Sequence, residues 1–206
     1  MTNLVPVEMP SPDTMAGPWS VAAALNILQG WGDDDCNAHD GDFWFHDGGG
    51  NWCKLFRFAD GRAVLMGHDH EYSETYFAEA AEYFEEPATD LLAGAPAWWA
   101  QVAQDQALRG DMPWVGFIYG WDGTGWSRAP YAADDGLTSL NPPLVRDRVL
   151  DQLDDEFPDA GEAECRALID AAPNLTRAHL EALGTLSELF DQAVATARAF
   201  AGPGRR

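Results

Sequence analysis

The sequence predicts an α+β protein in which an antiparallel sheet of about five strands packs with helices. Three observations lead to this class. Runs rich in aromatic and β-branched residues flank an Asp-Gly pair at 60–61, and a second pair of such runs flanks Asp-Gly at 122–123. After about residue 140 the strand patterns stop and helical spacing takes over. We therefore expect an α+β sheet core over residues 1–140, and a helical segment over residues 141–206 that packs on the same core.

The stretch 52–70 carries the clearest hairpin pattern. An Asp-Gly pair favours a two-residue turn, because both central residues of that turn need a positive φ. Such a loop would set Cys53 opposite His68, and residues 43–45 would form a third strand joined through the glycine-rich loop 46–51. Since side chains alternate along a strand, this register predicts one aromatic core face and one face that gathers histidines and a cysteine.

Apolar spacing and end residues predict the other elements of the first 110 residues. In chain order they are an extended Pro-rich start over 1–13, an amphipathic helix over 19–29, an acidic loop over 33–42, a helix from Ser73 as N-cap to about Glu86, and a helix from Pro96 to about Arg109.

The second hairpin joins 114–121 to 124–131 and should extend the same sheet, with Pro130 favouring an edge position because proline cannot donate to a ladder. Beyond residue 141, helical spacing predicts three helices at about 142–153, 161–172 and 186–201. The last of them would open with a capping box from Thr185 to Glu188.

The charge balance constrains the partners. The chain of 206 residues has 12 Lys and Arg against 34 Asp and Glu, which gives a net charge of −22. Such a field repels nucleic-acid phosphates and anionic lipid, so we expect neither nucleic-acid nor membrane binding. A solvated acidic coat explains the charge without any partner. The more specific interpretation is an acidic protein of immunity or inhibitor type that recognises a basic protein.

The expected compartment is the cytoplasm. No basic segment precedes an apolar stretch at the start of the sequence, and no apolar run approaches the ~20 residues of a membrane span. Three cysteines at unrelated spacings do not form a disulfide framework. The pattern gives no indication of the oligomeric state.

The acidic loop is the expected partner-binding site. Carboxylates facing a cationic partner steer its approach, and an exposed tryptophan can anchor an interface. The residues predicted to bind the partner are Asp33, Asp34, Asp35, Asp40, Asp42, Trp31 and Trp44.

A zinc-dependent hydrolase is the competing interpretation, and a structural component of a larger assembly is a third. The predicted register brings together residue types that zinc binds, namely His46, Cys53, His68 and His70. Asp69 or Glu71 would then be the general base for a metal-bound water, and Cys53 beside His68 would resemble a thiol–imidazole pair. No phosphate loop or nucleophile elbow occurs. The acidic loop suggests calcium by its spacing but fails the EF-hand pattern, because Ala38 stands where Gly is needed and Trp44 where Glu is needed. Our main expectation is a protein without a cofactor, with zinc as the alternative.

Overall fold

The structure is a computed structural model that describes residues 3–104 and 114–204. Within them it is an α+β protein, as the sequence predicts, with a seven-stranded antiparallel sheet and eight helices. The strands are β1 (Val5–Val7), β2 (Cys36–His39), β3 (Asp42–His46), β4 (Trp52–Arg57), β5 (Ala63–His68), β6 (Phe117–Trp121) and β7 (Trp126–Arg128). The helices are α1 (Pro12–Leu28), α2 (Glu79–Phe84), α3 (Ala97–Ala103), α4 (Leu137–Leu140), α5 (Arg146–Glu156), α6 (Glu162–Ala171), α7 (Arg177–Glu181) and α8 (Phe190–Ala199).

The sheet has seven strands where the sequence predicts about five. Its order is β1-β7-β6-β5-β4-β3-β2, so the two unpredicted strands, β1 and β2, lie at the edges. Both are only three or four residues long, which is too short for a recognisable alternation of apolar and polar residues. Because β1 pairs with β7, the predicted edge position of Pro130 is wrong, and Pro130 lies beyond the end of β7.

The β4–β5 hairpin has a three-residue loop. The backbone N–H of Phe58 donates to the carbonyl of Arg62 at 2.9 Å, and the N–H of Gly61 donates to the carbonyl of Phe58 at 3.1 Å. Residues 59–61 therefore form the loop, with Gly61 at φ 85°. A type I turn followed by a left-handed residue is the common solution for a three-residue hairpin loop.

The longer loop shifts the register by one residue. His68 lies opposite Trp52, and Cys53 lies opposite Gly67. The predicted pairing of Cys53 with His68 is therefore wrong. Because neighbouring residues of a strand point to opposite faces, Cys53 and His68 lie on opposite faces of the sheet.

Both faces of the sheet centre are buried, whereas the sequence predicts only one core face. Leu55 on one face and Phe56 on the other are fully buried. Phe56 lies opposite Val64, which in turn lies opposite Gly120 of β6. The indole ring of Trp99 in α3 approaches Gly120 so closely that an added Cβ would lie 2.0 Å from it. α3 therefore covers the face that carries Phe56.

The chain forms two compact units. The first combines the residues up to Ser11 with the described part of His46–Leu140, and it contains β1, β4–β7 and α2–α4. In this unit the indole N–H of Trp126 donates to the carbonyl of Pro10 at 2.6 Å, which fixes the segment after β1.

The second unit combines Pro12–Phe45 with the described chain from Asn141 onward. Its central element is α1, which packs against α5, α6 and α8. α1 begins at Pro12, a residue type favoured at the first helical position. It is buried on nearly all sides, whereas the sequence predicts an amphipathic helix from Trp19; a helix that is apolar all round is typical of a core position.

The predicted helix from Ser73 is shorter than expected, because α2 begins only at Glu79. The hydroxyl of Ser73 accepts a hydrogen bond from the N–H of Asp69 at 3.0 Å and donates to the carbonyl of Asp135 at 2.8 Å, so it connects two loops and does not cap a helix. The predicted helix from Pro96 is α3, and its expected part from residue 105 to Arg109 lies outside the described residues.

The C-terminal helices differ in detail from the prediction. α5 and α6 lie where they are expected, and Val149 and Leu153 of α5 are fully buried. The last helix begins at Phe190, so the capping box predicted from Thr185 is wrong. A capping box does occur at α7, a helix that the sequence analysis missed, where the N–H of Thr176 donates to His179 Nδ1 at 3.2 Å.

None of the helices formed by residues 3–104 and 114–204 has both the length and the apolar character that a bilayer crossing requires.

Candidate partner-binding surface

Trp31 is held in an exposed position by the end of α1. Its N–H donates to the carbonyl of Asn26, and the N–H of Gly30 donates to the carbonyl of Ile27, both at 3.0 Å. Gly30 has φ 79°, so the helix ends in a Schellman motif with Trp31 directly after the left-handed residue. The residue that follows the left-handed position of a Schellman motif usually packs on an apolar residue five positions earlier. Here that earlier residue is the polar Asn26. Trp31 is 63% exposed.

Two exposed carboxylates follow Trp31 on a hydrogen-bonded segment. The side chain of Asn37 donates to the carbonyl of Asp33 at 2.7 Å, and the indole N–H of Trp44 donates to the carbonyl of Asp34 at 2.9 Å. Both aspartates are exposed. The backbone of this segment is therefore fixed while the residues that carry the charge remain accessible.

The rest of the predicted acidic loop is the β2–β3 hairpin. His39 lies opposite Asp42, so Asp40 and Gly41 form a two-residue turn with φ of 53° and 85°. Positive φ at both positions defines the type I′ turn that Asp-Gly favours. Asp40 is exposed and lies 3.3 Å from Nδ1 of His39.

The seven predicted partner-binding residues thus differ in accessibility. Asp42 is only 4% exposed, and Asp35 and Trp44 are half-buried. The side chain of Trp44 serves to hold the segment at Asp34. The accessible members are Trp31, Asp33, Asp34 and Asp40.

The structure does not bring the four predicted zinc ligands together into one cluster. Cys53 is fully buried on the face opposite His68, and His46 ends β3. In the parts of the chain that the structure describes, no three His, Cys, Asp or Glu side chains are placed to hold a metal ion. Zinc binding stays a prediction, which elemental analysis of the purified protein would test.

The surroundings of His68 and Asp69 are those of residues with a structural role. Nδ1 of His68 is buried without a hydrogen-bond partner in the described structure, and burial lowers the pKa of His68 to about 4, with a smaller contribution from His70. The carboxylate of Asp69, proposed above as a general base, is buried and accepts the N–H groups of Glu71 and Tyr72, both at 2.9 Å. Asp69 therefore closes a local turn.

The cysteines are three buried thiols, Cys36, Cys53 and Cys165. Burial raises the pKa of Cys36 far above its ordinary value, and that thiol donates to the carbonyl of Trp19 at 3.8 Å. A reactive cysteine needs a lowered pKa and access to solvent. Cys36 has neither, and the thiol–imidazole pairing of Cys53 with His68 is excluded by the register.

A buried carboxylate cluster around Asp135 was not found from the sequence. The hydroxyls of Tyr119 and Tyr131 both donate to Oδ2 of Asp135, the latter at 2.8 Å, and the N–H of Leu137 donates to Oδ1 at 3.2 Å. Burial is the main cause that raises the pKa of both tyrosines, and the negative charge of Asp135 is the second. Their hydroxyls therefore remain donors. The cluster connects β6 to the chain before α4. Because Tyr119 and Asp135 are 16 residues apart, local sequence patterns carry no indication of it.

Comparisons of this chain with protein-family models, with curated proteins and with solved structures found no match.

Proposed function

We propose that this is an acidic binding protein that recognises a basic protein partner, in the manner of an immunity protein or inhibitor. The observation that carries the proposal is the exposed side chain of Trp31, whose backbone is fixed by a Schellman motif and which is followed by exposed Asp33 and Asp34. Tryptophan is among the residues most enriched at the energetic centres of interfaces.

The fixed backbone of this surface favours binding. The hydrogen bonds to the carbonyls of Asp33 and Asp34 order the segment before any partner arrives, so less conformational entropy is lost on association. The net charge of −22 adds long-range attraction for a cationic protein, which raises the association rate more than the final affinity.

The test is a kinetic comparison of two variants with the same change in charge. A basic protein that co-purifies with the chain is the analyte, and association and dissociation rates are measured from 50 to 500 mM salt. In the first variant Asp33, Asp34 and Asp40 become Asn. In the matched control, Asp151, Asp155 and Asp159, which are also exposed, become Asn. We expect the first variant to associate about tenfold more slowly at low salt and the control to change far less.

Trp31→Ala separates anchoring from steering. Loss of a buried interface anchor should raise the dissociation rate at least tenfold and leave the association rate nearly unchanged. Equal rates for both charge variants, together with an unchanged dissociation rate for Trp31→Ala, would show that partners do not use this surface.

A further inference from the structure

Four aromatic side chains on the first unit form a cluster in which two rings are exposed and two are half-buried, and we call it the α2 aromatic patch: Tyr76, Tyr83, Phe84 and Trp114. The ring centroids of Tyr83 and Trp114 are 5.0 Å apart, those of Phe84 and Trp114 are 5.4 Å apart, and those of Tyr76 and Phe84 are 5.8 Å apart. Tyr83 is 70% exposed and Phe84 is 46% exposed. Large contiguous aromatic surface in contact with water is uncommon on a protein without a partner.

Glutamates are concentrated in the sequence around Tyr83. Four of the eight residues 79–86 are glutamates and none is basic. Glu79 lies one helical turn before Tyr83 on the same side of α2, and Glu82, Glu85 and Glu86 are within three residues of it. All four are exposed, and none of them forms an ion pair in the described structure.

Some other aromatic rings of the protein are covered by its own arginines. The guanidinium of Arg62 lies 4.8 Å from the ring centre of Trp98, and that of Arg128 lies 4.1 Å from the ring centre of Tyr131. In the described residues, no arginine or lysine lies over a ring of the α2 aromatic patch. The patch therefore combines the aromatic faces and the carboxylates that bind a guanidinium, and no guanidinium from residues 3–104 or 114–204 lies over its rings.

We propose that the α2 aromatic patch is a docking site for an arginine-bearing segment of a protein partner. An arginine would stack on the ring of Tyr83 while Glu79 or Glu82 accepts its N–H groups. Charge selects this occupant over the others. A second copy of the chain, a nucleic acid and an anionic membrane would each place further negative charge against the glutamates. The proposal does not depend on the surface around Trp31.

The experiment uses the full chain and a defined probe, tetra-arginine with both ends blocked. Titration into the ¹⁵N-labelled protein at 150 mM salt, followed by NMR, gives both the binding site and the Kd. We expect the largest shifts at residues 79–86 and at the indole of Trp114. Blocked tetra-lysine should bind about three- to fivefold more weakly, because an ammonium does not stack on aromatic faces as a guanidinium does.

Three variants test the contacts. Tyr83→Ala removes a mostly exposed ring and should weaken tetra-arginine binding about fivefold, and Glu79→Gln with Glu82→Gln should weaken it by a similar factor. Tyr72→Ala is the matched control, since Tyr72 is 57% exposed and lies outside the patch. Trp31→Ala should also leave this affinity unchanged, so the failure of one surface is distinguishable from the failure of the other.

Several outcomes would overturn the proposal. Equal affinities for tetra-lysine and tetra-arginine, with no effect of Tyr83→Ala, would mean that net charge alone binds the peptide. Shifts spread evenly over acidic residues would mean the same. Concentration-dependent dimerisation in sedimentation that Tyr83→Ala abolishes would identify a second copy as the occupant.

Discussion

Two hairpins of this protein carry the same Asp-Gly pair and turn in different ways. In the β2–β3 hairpin, Asp40 and Gly41 form a two-residue turn, whereas in the β4–β5 hairpin Asp60 and Gly61 belong to a three-residue loop. Both glycines have φ 85°. The dipeptide therefore determines that a left-handed residue is present, and the flanking strands determine how many residues the loop contains.

The hairpins also differ in what surrounds the turn. A Cβ on Gly41 would lie 2.4 Å from the carbonyl oxygen of Pro203, while a Cβ on Gly61 would have no atom within 4 Å. The first turn is packed against the chain near its C-terminus and the second projects into solvent. Substitutions at equivalent glycines can therefore separate backbone strain from packing.

The largest expected effect is the difference between Gly41→Ala and Gly61→Ala. Both substitutions place a Cβ at a left-handed φ, which costs about 1–2 kcal/mol. Gly41→Ala must in addition displace the backbone at Pro203, so its free energy of unfolding should fall by about 3 kcal/mol, against about 1 kcal/mol for Gly61→Ala. Urea denaturation of both variants and the wild type measures the difference.

Removal of the chain from Pro203 onward provides the control. Without the carbonyl that the new Cβ meets, the cost of Gly41→Ala should fall to that of Gly61→Ala. If Gly41→Ala remains as costly in the shortened chain, the strain lies within the turn itself, and the packing difference between the hairpins has no energetic weight.

A smaller effect is expected from the histidines of the two hairpins. His68 ends β5 with a pKa lowered to about 4 by burial, whereas His39 beside the β2–β3 turn is exposed. An unfolded histidine titrates near pH 6.5. As the pH falls below 6.5 the unfolded state therefore takes up a proton first, and stability is lost progressively until about pH 4. Because the ring of His68 is partly exposed, we expect a loss of about 1–2 kcal/mol.

Thermal unfolding at pH 7.5 and pH 4.5 measures this contribution. His68→Gln should reduce the loss of stability on acidification. An identical acid response in the wild type and the His68→Gln variant would mean that another group causes it.

The sequence predicts the fold class but not the register, and the reason lies in one residue. Asp60-Gly61 is compatible with a loop of either two or three residues. Changing from one loop length to the other moves every side chain of β5 to the opposite face of the sheet. The shorter loop makes Cys53 and His68 neighbours, as the sequence analysis expects, whereas the longer loop separates them. The strand Cys36–His39 was missed because its residues, Cys-Asn-Ala-His, have little preference for strands, and it forms through pairing with β3.

The candidate site also has features that a local sequence pattern predicts and features that it does not. Trp31 follows Gly30 directly after an apolar helix, which is a local pattern, and the structure does place it in solvent. The burial of Asp42 depends on where the β2–β3 hairpin packs, which local spacing does not indicate. The contact between Tyr83 and Trp114 joins residues 31 positions apart, so the α2 aromatic patch could not be predicted from its own segment.

The smallest expected effect is that of Asp60→Asn at the exposed loop. The carboxylate of Asp60 accepts the N–H of Arg62 at 3.2 Å and lies 2.7 Å from its guanidinium, and these hydrogen bonds hold the pKa of Asp60 below its usual range. A lowered carboxyl pKa contributes stability above about pH 4, which is lost as the pH falls through the lower folded value. Since water and salt screen this pair, the Tm should fall less for Asp60→Asn than for Gly61→Ala, and less still in 1 M salt.

Asp40→Asn at the two-residue turn is the comparison, because asparagine also accepts the left-handed conformation there. A salt-independent loss for Asp60→Asn as large as that of Gly61→Ala would mean that the hydrogen bonds of Asp60, and not the glycine, hold the three-residue loop and with it the register of β5.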